Sequence, residues 1–391
     1  MNTFYGKATL AAALASACAS AWALDAATIK LSDSIGFTPT LKLSESYDDN
    51  FRALETREES SWVSGIAPTL TLGAKGGKAS ASISYTANHE IYHSSHSDDN
   101  TDHIFNAEAG LQFDARNRLR LNAGYRDMEE TASADQKIEN DKYTLSTVGA
   151  LYTFGADTAT GQVRLGATHD RLRYDNSIFG GTRLNADKER DSTGVSAAFL
   201  YRVGPKTRAL LEARHTDHEY ESNTALDSTN TALLLGAEWE ATARTTGTVK
   251  IGRERKDFDD SSKSDRTSPM WEVGVSWAPR TYSTFSLNTR RAFDEGSDSA
   301  DVIKGTSTTL GWEHGWAPRL KSNLSYTYSK QTYRNAEDRE DKIDTLSVGL
   351  TYNMRRWLDV GVGYKYSEND SSKPGKSYER NIFGITLNAS L

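Results

Sequence analysis

Four of the eight histidines of this sequence lie between positions 89 and 103, among several aspartates. The group comprises His89, His93, His96, His103, Asp98, Asp99 and Asp102. Imidazole and carboxylate groups are common ligands of divalent metal ions. The spacing of these residues matches no sharp metal-binding motif, so the sequence favours a solvated polar loop. We therefore expect neither a bound metal nor a cofactor.

A second group of reactive side chains surrounds Asp217. His215 and His218 flank this aspartate, and Ser222 follows a few residues later. Nucleophilic catalysis needs a serine held against a histidine, together with donors for the oxyanion. The sequence contains neither a Gly-x-Ser-x-Gly motif nor a phosphate-binding loop. These residues give weak support for catalysis, and we expect the protein not to be an enzyme.

Other charged residues are spaced more regularly and alternate with apolar ones. Arg118 and Arg120, for example, alternate with Leu119 and Leu121. This pattern is typical of a strand with one polar and one apolar face. We expect the polar faces to line an aqueous channel whose wall carries Arg118, Arg120, Arg126, Arg164, Arg214, Lys250, Arg290, Lys365, Glu108, Glu212, Glu238, Glu272, Glu313 and Asp359. An alternative is that opposite charges pair across strands and only fill or stiffen the lumen.

The same alternation continues through most of the sequence. Near the carboxyl end, Phe383, Ile385 and Leu387 alternate with small or polar residues. The segments are about 10–13 residues long, which suits strands that cross a membrane, and there are about 18 of them. Short connections such as 114–117 alternate with long polar ones such as 127–142. The sequence therefore predicts an all-β protein, a single transmembrane antiparallel up-and-down barrel.

Aromatic residues beside the short connections support a barrel in a membrane. Trp277-Ala278-Pro279-Arg280 recurs as Trp316-Ala317-Pro318-Arg319, one hairpin later. Phe113, Phe154, Trp239 and Trp357 lie beside equivalent connections. Aromatic side chains favour the level of the lipid headgroups, so we expect these residues to form a girdle on the periplasmic side.

The composition excludes several other classes of protein. Only 37% of the 391 residues are hydrophobic, yet 8 Trp, 18 Tyr and 12 Phe argue against a disordered chain. After the amino terminus there is no apolar stretch of about 20 residues, as a membrane-spanning helix would need. The net charge of -7 gives no basic surface for nucleic acid.

The amino-terminal residues are typical of a secretory signal. Lys7 is followed by an alanine-rich stretch and by Ala21-Trp22-Ala23, a small-x-small cleavage site. We expect residues 1–23 to be the signal peptide, 24–34 a periplasmic segment and 35–391 the barrel. The only cysteine, Cys18, would leave with the signal, so the mature chain would contain none.

Short motifs in the first hairpins carry a family resemblance. They are Tyr47-Asp48-Asp49-Asn50, Ser61, Pro68-Thr69-Leu70-Thr71-Leu72, Tyr85, Tyr92 and the polar loop to His103. On these motifs the chain resembles the putative beta-barrel porin 2 family, which includes the EpsL-like proteins of exopolysaccharide gene clusters. The resemblance implies an outer-membrane barrel of about 18 strands that helps an exopolysaccharide to cross the outer membrane. It implies no catalytic residues.

Two functions follow as expectations for an outer-membrane protein of a Gram-negative bacterium. The first, which the short loops, the mixed charges and above all the family resemblance favour, is a conduit for exopolysaccharide export, with periplasmic export components as partners. The second is a general or sugar-selective porin for the uptake of small solutes. A conduit should have a wide lumen lined by hydroxyl, amide and aromatic groups, whereas an uptake porin should have an inward-folded loop and segregated charge. Contact with lipid and lipopolysaccharide is expected in both cases.

One long connection, residues 175–191, has an apolar tip with glycines. The tip contains Ile178, Phe179, Gly180, Gly181 and Leu184. Such a loop more often packs on the barrel rim, although it is also suited to fold into the pore as a constriction.

Overall fold

Eighteen long strands make up most of the chain in a computed structural model, which describes residues 28–131, 140–175, 178–179, 182–183, 185–242, 244–296, 300–334 and 339–390. The first nine strands are Ile35–Asp48 (β1), Ser61–Lys75 (β2), Ala79–Tyr92 (β3), Asn100–Gln112 (β4), Asn117–Glu130 (β5), Asp141–Phe154 (β6), Gly161–Asp175 (β7), Arg190–Gly204 (β8) and Thr207–Tyr220 (β9). The others are Ser228–Thr242 (β10), Thr245–Phe258 (β11), Arg266–Arg280 (β12), Ser283–Glu295 (β13), Val302–Ala317 (β14), Leu320–Arg334 (β15), Glu340–Arg355 (β16), Leu358–Ser371 (β17) and Tyr378–Ser390 (β18).

Each strand pairs antiparallel with its neighbours in sequence, and the sheet closes on itself. Strand β1 pairs with β2 and also with β18, from Thr40 opposite Ser390 to Asp48 opposite Ile382. The predicted single barrel is therefore confirmed. Strands of 13 to 16 residues are longer than predicted, so they extend beyond the membrane core.

The seam between the first and the last strand is fastened by side chains as well as by the backbone. The Nε of Arg380 donates to both carboxylate oxygens of Asp48, at 3.1 and 2.9 Å. The backbone N–H of Asn381 donates to Asp49 at 2.6 Å, and the Nδ2 of Asn50 donates to the Glu379 carbonyl at 2.8 Å. The motif that carries the family resemblance thus closes the barrel.

The two faces of the barrel wall follow the alternation in the sequence. On the outer face, large apolar side chains are exposed, such as Phe383 at 55% and Ile385 at 54%. The opposite face brings Arg164 of β7 within 2.6 Å of Glu238 of β10. Side chains that are three strands apart can meet only across a concave surface, so this face is the inside of the barrel.

Short turns join the strands at one end and long loops join them at the other. Asp114 stabilises one short turn by accepting hydrogen bonds from the backbone of Arg116 at 2.6 Å and of Asn117 at 2.9 Å. Five of the six predicted aromatic side chains are exposed around this end: Phe113, Phe154, Trp277, Trp316 and Trp357. The sixth, Trp239, is only partly exposed. Among the described residues, no helix has the length and apolar character that crossing a membrane would require.

At the other end, several long loops fold inward and pack on one another. Phe51, from the loop after β1, is 3% exposed and clusters with Val63 and Tyr92. In the predicted loop tip at 178–184, Ile178–Phe179 pairs with Thr182–Arg183. Gly180, Gly181 and Leu184 lie outside the described residues, so the packing of the tip stays a prediction. Residues 1–27 also lie outside them, so the signal peptide stays a prediction.

The end of the β13–β14 hairpin leaves the barrel wall. Pairing of β12 with β13 stops at Trp271 opposite Arg291, whereas β13 stays paired with β14 as far as Glu295. Beyond Arg291 the backbone N–H of Phe293 donates instead to the inward-facing Glu254 of β11, at 2.6 Å. We call the described residues 292–296 and 300–303 the inward hairpin and 294–296 its tip, because Glu295 contacts Tyr220 of β9 and Lys256 of β11 on the inner face.

Candidate functional site

All fourteen predicted wall residues share the face that carries the Arg164–Glu238 pair. Residues that stand opposite each other on neighbouring strands point to the same side of the sheet. Examples are Glu108 opposite Asn122, Lys250 opposite Glu272, and Lys365 opposite Ser347. The residues on this face are Arg118, Arg120, Arg126, Arg164, Arg214, Lys250, Arg290, Lys365, Glu108, Glu212, Glu238, Glu272, Glu313 and Asp359. Their role in a channel remains a proposal.

Four of these residues form a compact network of charges on β9, β11 and β12. The Arg214 guanidinium contacts Glu212 at 2.5 Å and Glu272 at 2.6 Å. The Lys250 ammonium contacts the same two carboxylates at 2.7 and 3.6 Å. All four side chains are at most 15% exposed, so each charge is balanced by its neighbours rather than by water.

A large cavity opens near the short-turn end, between β7 and β14. Its volume is about 1240 Å³, and the Arg164–Glu238 pair lies on its wall. Arg202, Arg208 and Arg290 add positive charge, while Thr309 and its neighbours add hydroxyl groups. The cavity is large enough to hold a small solute with its hydration water.

Arg118 lies close to this end of the lumen and acts on a short connection. Its guanidinium hydrogen-bonds the carboxylate of Asp157, between β6 and β7, and also the Gly155 carbonyl at 3.0 Å. The hydrogen bond from Arg118 holds the pKa of Asp157 below its usual range, although burial acts in the opposite direction.

The lumen has two chemically different walls. We call β4–β13 the charged wall, because its inner positions carry most of the predicted charges. We call β14–β18 with β1–β3 the hydroxyl wall, which carries only Glu313, Asp359 and Lys365 of the fourteen predicted residues. Cross-strand hydroxyl pairs are typical of it: Thr309 meets Thr327 at 2.9 Å, and Ser329 donates to Ser307 at 3.0 Å.

The inward hairpin brings in functional residues that the sequence reasoning missed. Glu295 at its tip accepts from Lys256 at 2.7 Å and from the Tyr220 hydroxyl at 2.8 Å. Lys256 is fully buried, and Val302 and Ile303 on the hairpin have 0% exposure. The adjacent apolar pairs Ala292-Phe293 and Val302-Ile303 interrupt the alternation, which is the signal that could have found the hairpin.

The histidines near position 89 do not converge on one point. His89 bonds Thr101 at 2.8 Å, His93 bonds Ser64 at 2.8 Å, and His103 bonds Tyr85 at 2.8 Å. The part of the chain that the structure describes contains no group of three or more residues able to hold a metal ion.

The residues around Asp217 point to opposite faces of β9. His215 bonds Thr231 on the outside at 3.1 Å, whereas His218 bonds Ser192 on the inside at 2.8 Å. The other ring nitrogen of His218 lies 3.2 Å from Glu295, which gives a serine–histidine–carboxylate series. Lys256 already neutralises that carboxylate, and Ser192 does not reach the cavity described above. We interpret the series as part of the packing that holds the inward hairpin.

The closed barrel, with an apolar exterior and a polar interior, defines a porin-like membrane channel. Residues 35–391 match the family described as putative beta-barrel porin 2, and the chain belongs to this family. Among curated proteins, no sequence match is found.

Solved structures of the outer membrane protein OpdK share the fold. OpdK from Pseudomonas aeruginosa with vanillate has a TM-score of 0.51 and 11% identity, covering 91% of this chain and 99% of that chain. A second OpdK structure has a TM-score of 0.50 and 12% identity over the same shares. The FrpB iron transporter from Neisseria meningitidis has a TM-score of 0.48 and 11% identity, covering 92% and 82%.

Proposed function

We propose that this protein is a Gram-negative outer-membrane channel that passes small hydrophilic solutes, with a lumen narrowed by the inward hairpin. The observation that carries the proposal is the position of the hairpin inside the barrel. The ion pair of Glu295 with Lys256 and the hydrogen bond from the Phe293 N–H to Glu254 hold it there. An inward-folded segment is a feature that we associated with an uptake porin, whereas the charges of the charged wall are paired rather than segregated by sign.

The geometry suggests how a solute would pass. The cavity at the short-turn end offers both hydroxyl groups and paired charges, so a polar solute can exchange its water for protein contacts step by step. Because Arg164 and Glu238 neutralise each other at 2.6 Å, the channel should discriminate only weakly between anions and cations. No step of this passage requires a catalytic group or a cofactor.

Exopolysaccharide export is a second candidate, favoured by the hydroxyl wall. Rows such as Thr309–Thr327 offer donors and acceptors without fixed charge, which suits a polymer of neutral sugars. A polymer chain needs a continuous wide path, so the inward hairpin would have to leave the lumen during export. Periplasmic export components would then be the partners of the channel.

A reversible lock on the hairpin separates the two candidates. Phe258 and Phe293 pack in one buried cluster, and the mature chain is expected to contain no cysteine. We would measure planar-bilayer conductance and the exclusion of graded polyethylene glycols for Phe258→Cys/Phe293→Cys, oxidised and reduced. Phe293→Cys alone is the control.

For a small-solute channel, oxidation leaves the conductance and the polymer size limit unchanged, because the hairpin already lies inside. If larger polymers pass through the reduced protein but not through the oxidised protein, the export conduit is favoured instead. A folded barrel with no conductance in either state would contradict both candidates.

A further inference from the structure

The outer surface carries a concentration of positive charge on β13–β16, next to the long loops. Arg291, Thr306, Lys330 and Lys342 lie directly opposite one another on four adjacent strands. Lys304 lies one position further along the outward face of β14, and repulsion from Arg291, Lys330 and Arg334 acts on it. We call Arg291, Lys304, Lys330 and Lys342 the outer cationic patch.

The patch holds more positive than negative charge. Glu340 contacts Lys330 at 2.8 Å and Lys342 at 3.8 Å, so one carboxylate serves two ammonium groups. Asp370 stands opposite Lys342, at the edge of the patch. Like charges directly opposite each other destabilise a sheet, and the single Glu340 carboxylate offsets only one of the two charges of the Lys330–Lys342 pair.

The height of the patch on the barrel matches a lipid phosphate. Arg291 lies over the ring of Trp271, with 5.2 Å between the guanidinium carbon and the ring centre. From Trp271 the outward residues Val273, Val275 and Trp277 cross an apolar band of about 20 Å towards the short-turn end. Aromatic rings mark the headgroup level, so the cations lie just outside the hydrocarbon, where phosphates are found.

Arg171 and Arg255, two other outward arginines at the long-loop end, have carboxylate partners of their own. Arg171 pairs with Asp191 at 3.0 Å, and Arg255 contacts Asp257 at 2.5 Å and Asp265 at 3.0 Å. These two sites are internally balanced and need no external anion. The contrast distinguishes the patch from the general mixture of surface charges.

We propose that the outer cationic patch binds the phosphate groups of an outer-leaflet lipid of the lipid A class. The ammonium groups of Lys330 and Lys342 and the guanidinium of Arg291 donate to the phosphate oxygens. Thr306 lies between Arg291 and Lys330 in the row. The acyl chains of the lipid then lie along the apolar band below. This inference rests on the proposed outer-membrane location.

The test compares Lys330→Gln/Lys342→Gln with the matched control Arg171→Gln/Arg255→Gln in the refolded mature protein. Equilibrium binding is measured in neutral detergent with three probes: bisphosphorylated lipid A, dephosphorylated lipid A and inorganic phosphate. We expect the patch variant to bind lipid A at least about tenfold more weakly than the unchanged protein. The control variant should bind lipid A with the affinity of the unchanged protein. Dephosphorylated lipid should bind weakly to all three proteins, and millimolar inorganic phosphate should not displace lipid A.

Equal binding by the patch variant and the unchanged protein would overturn the inference, as would equal losses in the patch and control variants. Full displacement by inorganic phosphate would show a site for free phosphate instead of a lipid. Arg291→Gln provides a second variant should the double variant fail to refold, as judged by heat-modifiable mobility. Conductance of the same samples reports on the channel separately, so the two proposals can fail independently.

Discussion

The charged wall and the hydroxyl wall satisfy their polar groups in different ways. In the charged wall, Arg214 is held by two carboxylates and is only 10% exposed, so its position is determined by its neighbours. In the hydroxyl wall, contacts are single bonds between small groups, as between Thr309 and Thr327. The comparison indicates that one wall is a fixed network whose members depend on one another, whereas the other tolerates change at single positions.

The largest expected effect of breaking the charged wall is on stability. Arg214→Leu leaves Glu212 and Glu272 with Lys250 as their common partner, so one buried negative charge loses its balance. We expect the free energy of unfolding to fall by about 3 kcal/mol. Urea unfolding of the refolded barrel, followed by tryptophan fluorescence, measures this loss.

The matched change in the hydroxyl wall is Ser347→Ala. Ser347 is 1% exposed, and among the described residues its hydroxyl has no hydrogen-bond partner. We expect a change of less than about 0.5 kcal/mol in the same assay. A loss as large as that of Arg214→Leu would contradict the distinction between the two walls.

A smaller effect is expected on ion selectivity. Arg164→Gln removes the partner of Glu238 on the cavity wall and makes the charge of the cavity lining more negative by one unit. The permeability ratio of K⁺ to Cl⁻ should rise by roughly two- to fivefold, because a charge in a confined polar space attracts counterions. Reversal potentials across a salt gradient measure the ratio. Thr309→Val, on the same cavity, should leave it unchanged, and an equal shift in both variants would refute the charged wall as the source.

The smallest effect concerns the pH dependence of one turn. A carboxylate with a lowered pKa stabilises the folded state above its unfolded pKa, and this stability is lost as the pH falls through the lowered value. Because Asp157 is 80% exposed, the contribution should stay below about 0.5 kcal/mol. Arg118→Gln should raise the pKa of Asp157 towards the ordinary range of an aspartate, as seen by carboxyl-carbon NMR during acid titration. An unchanged pKa would exclude Arg118 as the cause.

The sequence was sufficient to predict the barrel because alternation is a local property. Phe383, Ile385 and Leu387 point outward whatever lies across the lumen, since adjacent residues of a strand point to opposite sides. The inner face of Arg164 and Glu238 could be predicted for the same reason. Their contact could not, because it depends on strand number and tilt, which determine which inward side chains meet across the curve.

The inward hairpin could not be predicted from local pattern. Its tip residues, including Asp294 and Glu295, have the polar composition of a solvated loop. The sequence does not show that Glu295 forms an ion pair with Lys256 inside the barrel. The contact joins β11 with the end of β13, after β13 has separated from β12. Whether two strands separate at their ends depends on the competition between backbone pairing and buried ion pairs. The sequence of a single strand does not reveal the outcome of this competition.

The fastening of β1 to β18 has a consequence for the order of folding. Asp48 and Arg380 are 332 positions apart, so their contact has almost the greatest sequence separation that the chain allows. Non-local contacts of this kind form late, because the entropy of closing the intervening loop must be lost first. Until they form, β1 and β18 expose two unsatisfied backbone edges on which other chains can pair. Closure, rather than hairpin formation, should therefore limit the folding rate, and the nascent barrel is most open to aggregation just before its last strand docks.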